Sequence, residues 1–275
     1  ASDIAVTALG GYLSLCGDPD RPPVRISIPI AFYLAGAEAA ASSLIALYHR
    51  NRTGQGQQVD VSAQQVVALY TINAPAFWDV GKRLITRSGQ DRAEVTSEVK
   101  SPQLWPCKDG WISFAIYGGQ IGARVNVPMV AWMDSEGMAD DWLKGINWAE
   151  LDLATLSPEF FGEVQKRLAA FFLKHTKAEL YQGAIAREII LFPVYTIGDI
   201  VEDNQLRARE FWIEVEHPEL GRAIVYPGAF AKASVTPIVP GRRAPLLGEH
   251  NSEIYQGLLG MSAQEVETLK QKGIV

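Results

Sequence analysis

The sequence predicts an α/β protein with a large domain assembled from both ends of the chain and a smaller α+β domain between them. Three observations carry that expectation. Runs with helical apolar spacing alternate with short apolar runs over residues 1–81 and again near the C-terminus. Hairpin and amphipathic-helix patterns follow one another over residues 101–210. The 275 residues are 48% apolar and 20% charged, enough to bury a sizeable core in one or two domains. The expected division is residues 1–81 in the large domain, 82–100 as a linker, 101–210 as the small domain and 211–275 returning to the large one.

In chain order, residues 26–33 are a short apolar run, read as a strand or extended entry that Gly36 interrupts. Ala40, Leu44, Leu47 and Tyr48 then share one helical face over residues 39–48, in an alanine-rich stretch that can lie close to a neighbour. The polar run from His49 to Gln57, with Gly54 and Gly56, stops that helix, and residues 58–61 read as a short strand. Residues 62–81 form a second helix with Val66, Val67, Tyr70 and Ile72 apolar and Gly81 at its end. Residues 82–100 are charged and lack a period, so they read as linker.

Asp109-Gly110 is the turn of a hairpin over residues 101–117, with Trp111, Ile112, Phe114 and Ile116 on its second strand. Residues 125–138 form a helix whose Met129, Trp132 and Met133 read as core. Residues 140–156 are acidic and mixed. Val164, Leu168, Phe171 and Phe172 face inward from a helix over 161–174. Thr176 and Glu179 make a capping box for the next helix. A short strand over 189–195 carries Pro193, which favours an edge. A helix over 197–208 and a hairpin over 211–228, turning at His217 to Gly221, follow. Ser262 and Glu265 cap a final helix that Gly273 closes.

Composition excludes several classes. The net charge of −6, with no cluster of Lys or Arg, argues against a nucleic-acid or anionic-membrane surface. Residues 26–48 are long and apolar, but Glu38 sits near their centre, Pro29 lies inside, and the second half is mostly Ala and Ser. A buried core helix is expected there rather than a membrane span. The N-terminus has no basic stretch, so no signal peptide is read. Cys16 and Cys107 offer neither metal spacing nor a disulfide framework, which suits a reducing cytoplasm. His49, His175, His217 and His250 fall in separate segments, so no metal site is expected.

The stretch from Pro23 to Ser62 resembles the signature of class III CoA-transferases, the carnitine CoA-transferase and bile-acid-inducible family. Pro23-Val24-Arg25, Pro29-Ile30, Gly36, His49-Arg50, Arg52-Thr53-Gly54, Gly56-Gln57 and Val59-Asp60-Val61-Ser62 fall in the family's register without a gap. Ala1 to Leu13, the hairpin around Pro106-Cys107-Lys108-Asp109-Gly110-Trp111, Asp203 to Arg209, the Glu216-His217-Pro218 turn and Pro245 to Asn251 are similar to further family motifs. The resemblance covers the later part of the family's length. It implies a Rossmann-like large domain, an interlocked dimer, and CoA or acyl-CoA as substrate with no covalently bound cofactor. In the family a long N-terminal segment supplies sheet strands and CoA contacts; either the chain is a fragment or that part is a separate piece.

One position departs from the pattern. The resemblance places the catalytic aspartate four residues before Gly36, where this chain has Phe32, with Ala31 in place of the preceding glycine. In the family a carboxylate there attacks the thioester, forms a mixed anhydride and then carries CoA as an aspartyl thioester. A phenyl ring has no lone pair for that attack. No catalytic residue is therefore assigned, and Phe32 is expected to pack over the silent acyl site. Glu38 is the nearest acid, but its commoner role is a first-turn helix acid; Asp18 and Asp20 read as turn residues.

The remaining site candidates carry ordinary alternatives. Arg25, Arg50 and Arg52 are candidates for CoA phosphates, or surface ion-pair partners. Gly118 and Gly119 are candidates for a gating loop, or simply a turn after a strand. Glu249-His250 suggests acid–base work, although capping at a helix start is commoner. The expected function is a non-catalytic subunit of a class III CoA-transferase, paired with a homologous chain carrying the aspartate. The alternatives are a catalytically dead relative that binds CoA esters or a scaffold partner, and a homodimer using another carboxylate.

Overall fold

The structure is a computed structural model and describes residues 1–93, 99–153, 155–238 and 242–275. Residues 94–98 of the expected linker and residue 154 of the acidic stretch lie outside the described residues. The chain divides into two compact units, residues 1–194 and 195–275. The mixture of helix and strand is as expected. Every recorded strand pair, however, is antiparallel, in one three-stranded and two two-stranded sheets, so the Rossmann-like parallel sheet is absent among the described residues.

The first unit opens with helix α1 (Asp3–Leu9) and a 3-10 turn (Tyr12–Leu15), then α2 (Ile30–Thr53), α3 (Ala63–Leu69) and α4 (Ala74–Gly81). Helix α2 corrects the reading of residues 26–48. The apolar run is not a strand: it enters the helix at Ile30, and the helix passes through Gly36. A lone glycine costs a helix only about 1 kcal/mol relative to alanine, and the alanines around it restore that. Residues 58–61, expected as a short strand, join no sheet. The single helix expected over 62–81 is two, parted at residues 70–73, where Ile72 takes φ 45°. Val6, Ala31 and Val67 form a small buried cluster joining α1, α2 and α3.

The main core lies further along. Strands β1 (Asp91–Ala93) and β2 (Lys100–Pro102) pair with each other. Strands β3 (Leu104–Cys107) and β4 (Gly110–Phe114) are the expected Asp-Gly hairpin, and β5 (Leu191–Pro193) adds to β4. The order β3-β4-β5 puts Pro193 on an edge strand, where its missing N–H is tolerated. Helices α5 (Gly119–Ser135), α6 (Asp141–Lys144), α7 (Pro158–Phe172) and α8 (Lys177–Ala186) accompany this sheet. Ile112 and Phe114, alternate residues of β4, and Met129, Met133, Phe161, Phe171 and Phe172, on helical faces, are fully buried. Phe172 meets Trp105 and Phe114 edge-on, each with 5.5 Å between ring centroids. Gly183 is needed for the close approach of α8: a Cβ there would lie 2.2 Å from the Trp132 ring. The Thr176–Glu179 capping box is present.

The second unit holds α9 (Ile197–Glu202), α10 (Asn204–Ala208), the hairpin β6 (Trp212–His217) and β7 (Arg222–Pro227), a π-helical turn (Ser252–Leu258) and α11 (Ala263–Gln271). The helix expected over 197–208 breaks at Asp203, whose carboxylate accepts from the Leu206 N–H and starts a new helix. The Ser262–Glu265 capping box forms as predicted, and Gly273 is left-handed at φ 66°.

Candidate functional site

The site expected around Phe32 is built at the amino end of α2. Pro29 occupies the cap position and has no side-chain acceptor, and the first turn holds no acid. The Ala31 N–H instead donates to Asp3 Oδ1 at 2.8 Å, from the first residue of α1. Ala31 is fully buried, while Phe32 beside it is 48% exposed. This corrects the expectation that Phe32 is a packed residue. On a helix, neighbouring side chains diverge by about 100°, so once Ala31 faces the cluster its neighbour turns away.

Glu38 and Asp18, two other candidate acids for this site, have partners of their own. Glu38 accepts a long hydrogen bond, 3.4 Å, from the Tyr70 hydroxyl. It stands about 9 Å along the helix from Phe32, on a different face. Asp18 is a turn residue, 3.7 Å from the Arg21 guanidinium.

Arg25 is exposed upstream of α2, whereas Arg50 and Arg52 are exposed in its last turn. The rise of the helix puts Phe32 and Arg52 about 30 Å apart. Arg52 lies 5.7 Å from the Tyr48 ring centroid. Gly118 and Gly119 form the entry turn of α5. The Gly119 N–H donates to the Leu151 carbonyl at 2.9 Å, and a Cβ on Gly118 would come within 2.4 Å of that oxygen. Glycine here permits a close backbone approach, the turn alternative.

Burial pushes both thiols up, Cys16 and Cys107, and both are free. Among the described residues no group of three or more His, Cys, Asp or Glu is placed to hold a metal.

Two arrangements were missed in the sequence. Arg87, in the expected linker, donates to the carbonyls of Asp18, Ser14 and Arg21 and so holds the loop before Pro22. In the second unit a polar chain runs through the hairpin. Tyr226 Oη lies 3.1 Å from His217 Nε2, and His217 Nδ1 lies 2.8 Å from Glu219 Oε1. Arg243 reaches Glu219 at 3.2 Å and grips Glu249 with two donors. The Glu249 carboxyl is held below the usual range, first by the Leu246 N–H and then by Arg243. An open cleft of about 520 Å³ beside β6 is lined by Val215, Arg243, Glu249 and His250. A carboxylate fixed in the charged form by three donors is a structural anchor, not a proton shuttle. The signal was present in the Glu-His-Pro turn and the Leu-Gly-Glu-His motif, but nothing in their spacing pairs them.

The surface of α2 is rich in exposed apolar side chains. Tyr33, Leu44, Ile45 and Tyr48 on α2 are all exposed. By length and composition α2 is apolar enough to cross a membrane.

Comparison with known proteins gives the following. A family model described as CoA-transferase family III matches residues 1–251. The succinyl-CoA:(R)-benzylsuccinate CoA-transferase subunit BbsE of Thauera aromatica is 34% identical over 100% of this chain and 65% of that protein. The succinyl-CoA–D-citramalate CoA-transferase of Chloroflexus aurantiacus is 29% identical over 98% of this chain and 63% of its own length. The chain thus spans just under two-thirds of these curated relatives. A crystal structure of a CAIB/BAIF family protein from Brucella suis superposes with a TM-score of 0.71 at 19% identity, over 94% of this chain and 63% of that one. That likeness concerns the fold alone.

Proposed function

For this chain, which belongs to CoA-transferase family III, we propose the role of the chain without a nucleophile in a two-chain enzyme. That enzyme moves CoA between an acyl-CoA thioester and a carboxylic acid. The observation that carries the reading is Phe32 in the first turn of α2, with no acid in that turn. The covalent route needs a carboxylate to attack the thioester carbon, and a homologous chain carrying aspartate at this position would supply it.

Two further observations support a partner chain. Tyr33, Leu44, Ile45 and Tyr48 leave an apolar face of α2 exposed in the single chain, as a surface meant for another chain would be. A relative at 34% identity is itself named as a subunit. We read the exposed face of α2 as protein surface rather than lipid surface, because Glu38 and the serines at 42 and 43 lie in its middle. The interlocked dimer and a cytoplasmic location belong to the same proposal. So do CoA or acyl-CoA as substrate, with no covalently held cofactor, and Arg25 as the cation for a CoA phosphate near this turn. Arg50 and Arg52, about 30 Å from Phe32 along α2, stay in the proposal as separate candidates for CoA phosphates.

The test is co-purification from the native source with intact-mass analysis, followed by assay of the recovered complex for acyl exchange between CoA esters. Recovery of a homologous chain with aspartate at this position, together with activity, supports the reading. Recovery of the chain alone, binding CoA esters without turnover, favours the catalytically dead binding protein instead.

A further inference from the structure

We infer that Asp3 is a positioning residue that holds the backbone of the residue 31–32 turn, so that whatever side chain stands at position 32 is presented from one fixed place. The inference rests on the CoA-transferase reading for its meaning, but its geometry stands apart from it. Residue 32 stands in the first helical turn, where the amides have no intrahelical acceptor. In α2 these amides are served unevenly. The Ile30 N–H donates to the Ile28 carbonyl and the Phe32 N–H to the Pro29 carbonyl. Pro29 has no side chain that can accept, and α2 has no first-turn acid.

The buried Ala31 amide would be orphaned without Asp3, which comes from the start of another helix. A charged acceptor on a buried amide is the stronger kind of hydrogen bond, and removing it leaves the donor unpaid in a dry place. Asp3 also follows the cap position of α1, so one carboxylate stands at the amino ends of two helices and favours both. Val6, Ala31 and Val67 pack beside it. The half-exposed Phe32 ring contributes little to this arrangement. The anchor is therefore a carboxylate that acts on the backbone, and any side chain at 32 would be presented from the same place.

Amide hydrogen exchange of the whole chain, with residue resolution over 28–36 and 63–70, tests this. Asp3→Ala should speed exchange at Ala31 about ten- to a hundredfold, while the amides of Val66 and Val67 keep their protection. Asp3→Asn, which retains an acceptor oxygen, should restore most of the protection. Phe32→Asp should leave Ala31 protected within about threefold. An unchanged Ala31 in Asp3→Ala overturns the inference. So does equal acceleration over α1, α2 and α3 without rescue by Asn, because Asp3 would then merely hold the cluster together. Loss of Ala31 protection in Phe32→Asp also overturns it, since the ring would then be part of the turn. None of these readouts depends on activity, so failure of the CoA-transferase reading in the exchange assay stays distinguishable from failure here.

Discussion

Arg243 grips Glu249 through two hydrogen bonds, 2.7 Å from Nη2 to Oε1 and 2.9 Å from Nη1 to Oε2, while its Nε faces Glu219 at 3.2 Å. Both carboxyls titrate below their usual range. Glu219 is lowered first by its own backbone N–H and then by His217; Glu249 is lowered first by the Leu246 N–H and then by Arg243. A lowered folded-state value stabilises the fold above the unfolded carboxylate value, and that stabilisation is lost as pH falls through the folded value. The contribution should be complete above about pH 5 and fade below about pH 4. Urea midpoints followed from pH 7 to pH 3 should fall more steeply for the native chain than for Arg243→Gln. Parallel curves would show that the grip does not contribute.

Phe32→Asp should fold as well as the native chain. The ring is half exposed, so little burial is lost. An acid in the first turn of a helix gains about 0.3–1 kcal/mol from the dipole, partly offset here by repulsion from Asp3. The urea midpoint should move by less than the equivalent of about 1 kcal/mol. A loss several times larger, as in truncating a buried aromatic, would place the ring inside an interface.

The purified chain alone should transfer no CoA. Acyl exchange between CoA esters, followed by mass spectrometry with hydroxylamine present to trap an anhydride or thioester, should stay at background. A hydroxamate on any of its own carboxylates would show a nucleophile other than residue 32.

Leu44→Glu with Ile45→Glu should abolish association and spare folding. Both side chains are exposed in the single chain, and surface substitutions of this kind usually cost within about 0.5 kcal/mol. Sedimentation of the native chain at micromolar concentration should show self-association or capture of its partner, and the double variant should run as a monomer. A native chain that stays monomeric both alone and mixed with the co-purifying homologous chain would remove the interface.

Arg87→Met should loosen the loop before Pro22. The guanidinium serves three backbone carbonyls that methionine cannot reach by hydrogen bonding. Limited proteolysis should cut between residues 14 and 21 in the variant first, with the core around Phe172 untouched. Equal cutting in both proteins would mean that the clamp is incidental.

Several elements were legible because their signals are local. The Asp109-Gly110 turn, the Thr176–Glu179 and Ser262–Glu265 boxes and the inward face of α7 each depend on residues within one or two turns of each other. The start of α2 was misread for the opposite reason. Ile26 to Tyr33 has strand-like composition, and Gly36 looks like a stop. A helix that continues through one glycine is decided by the alanines beyond it and by the Asp3 anchor before it. Asp3, Arg87 and Arg243 lay beyond sequence reasoning, since each acts on groups brought near only by folding.

What the sequence by itself determined is the family register from Pro23 to Ser62 and, within it, a phenylalanine at the position where the family resemblance leads one to expect a carboxylate. Identity at a position needs no coordinates, and the loss of a lone pair is a property of the residue. What only the tertiary structure decided is where that phenylalanine points and what holds it. Alanine 31 takes the buried direction, so Phe32 turns outward, and the amide between them and the core finds its acceptor on another helix. Side-chain direction follows from which neighbour wins the interior, and that competition involves residues far apart in the chain.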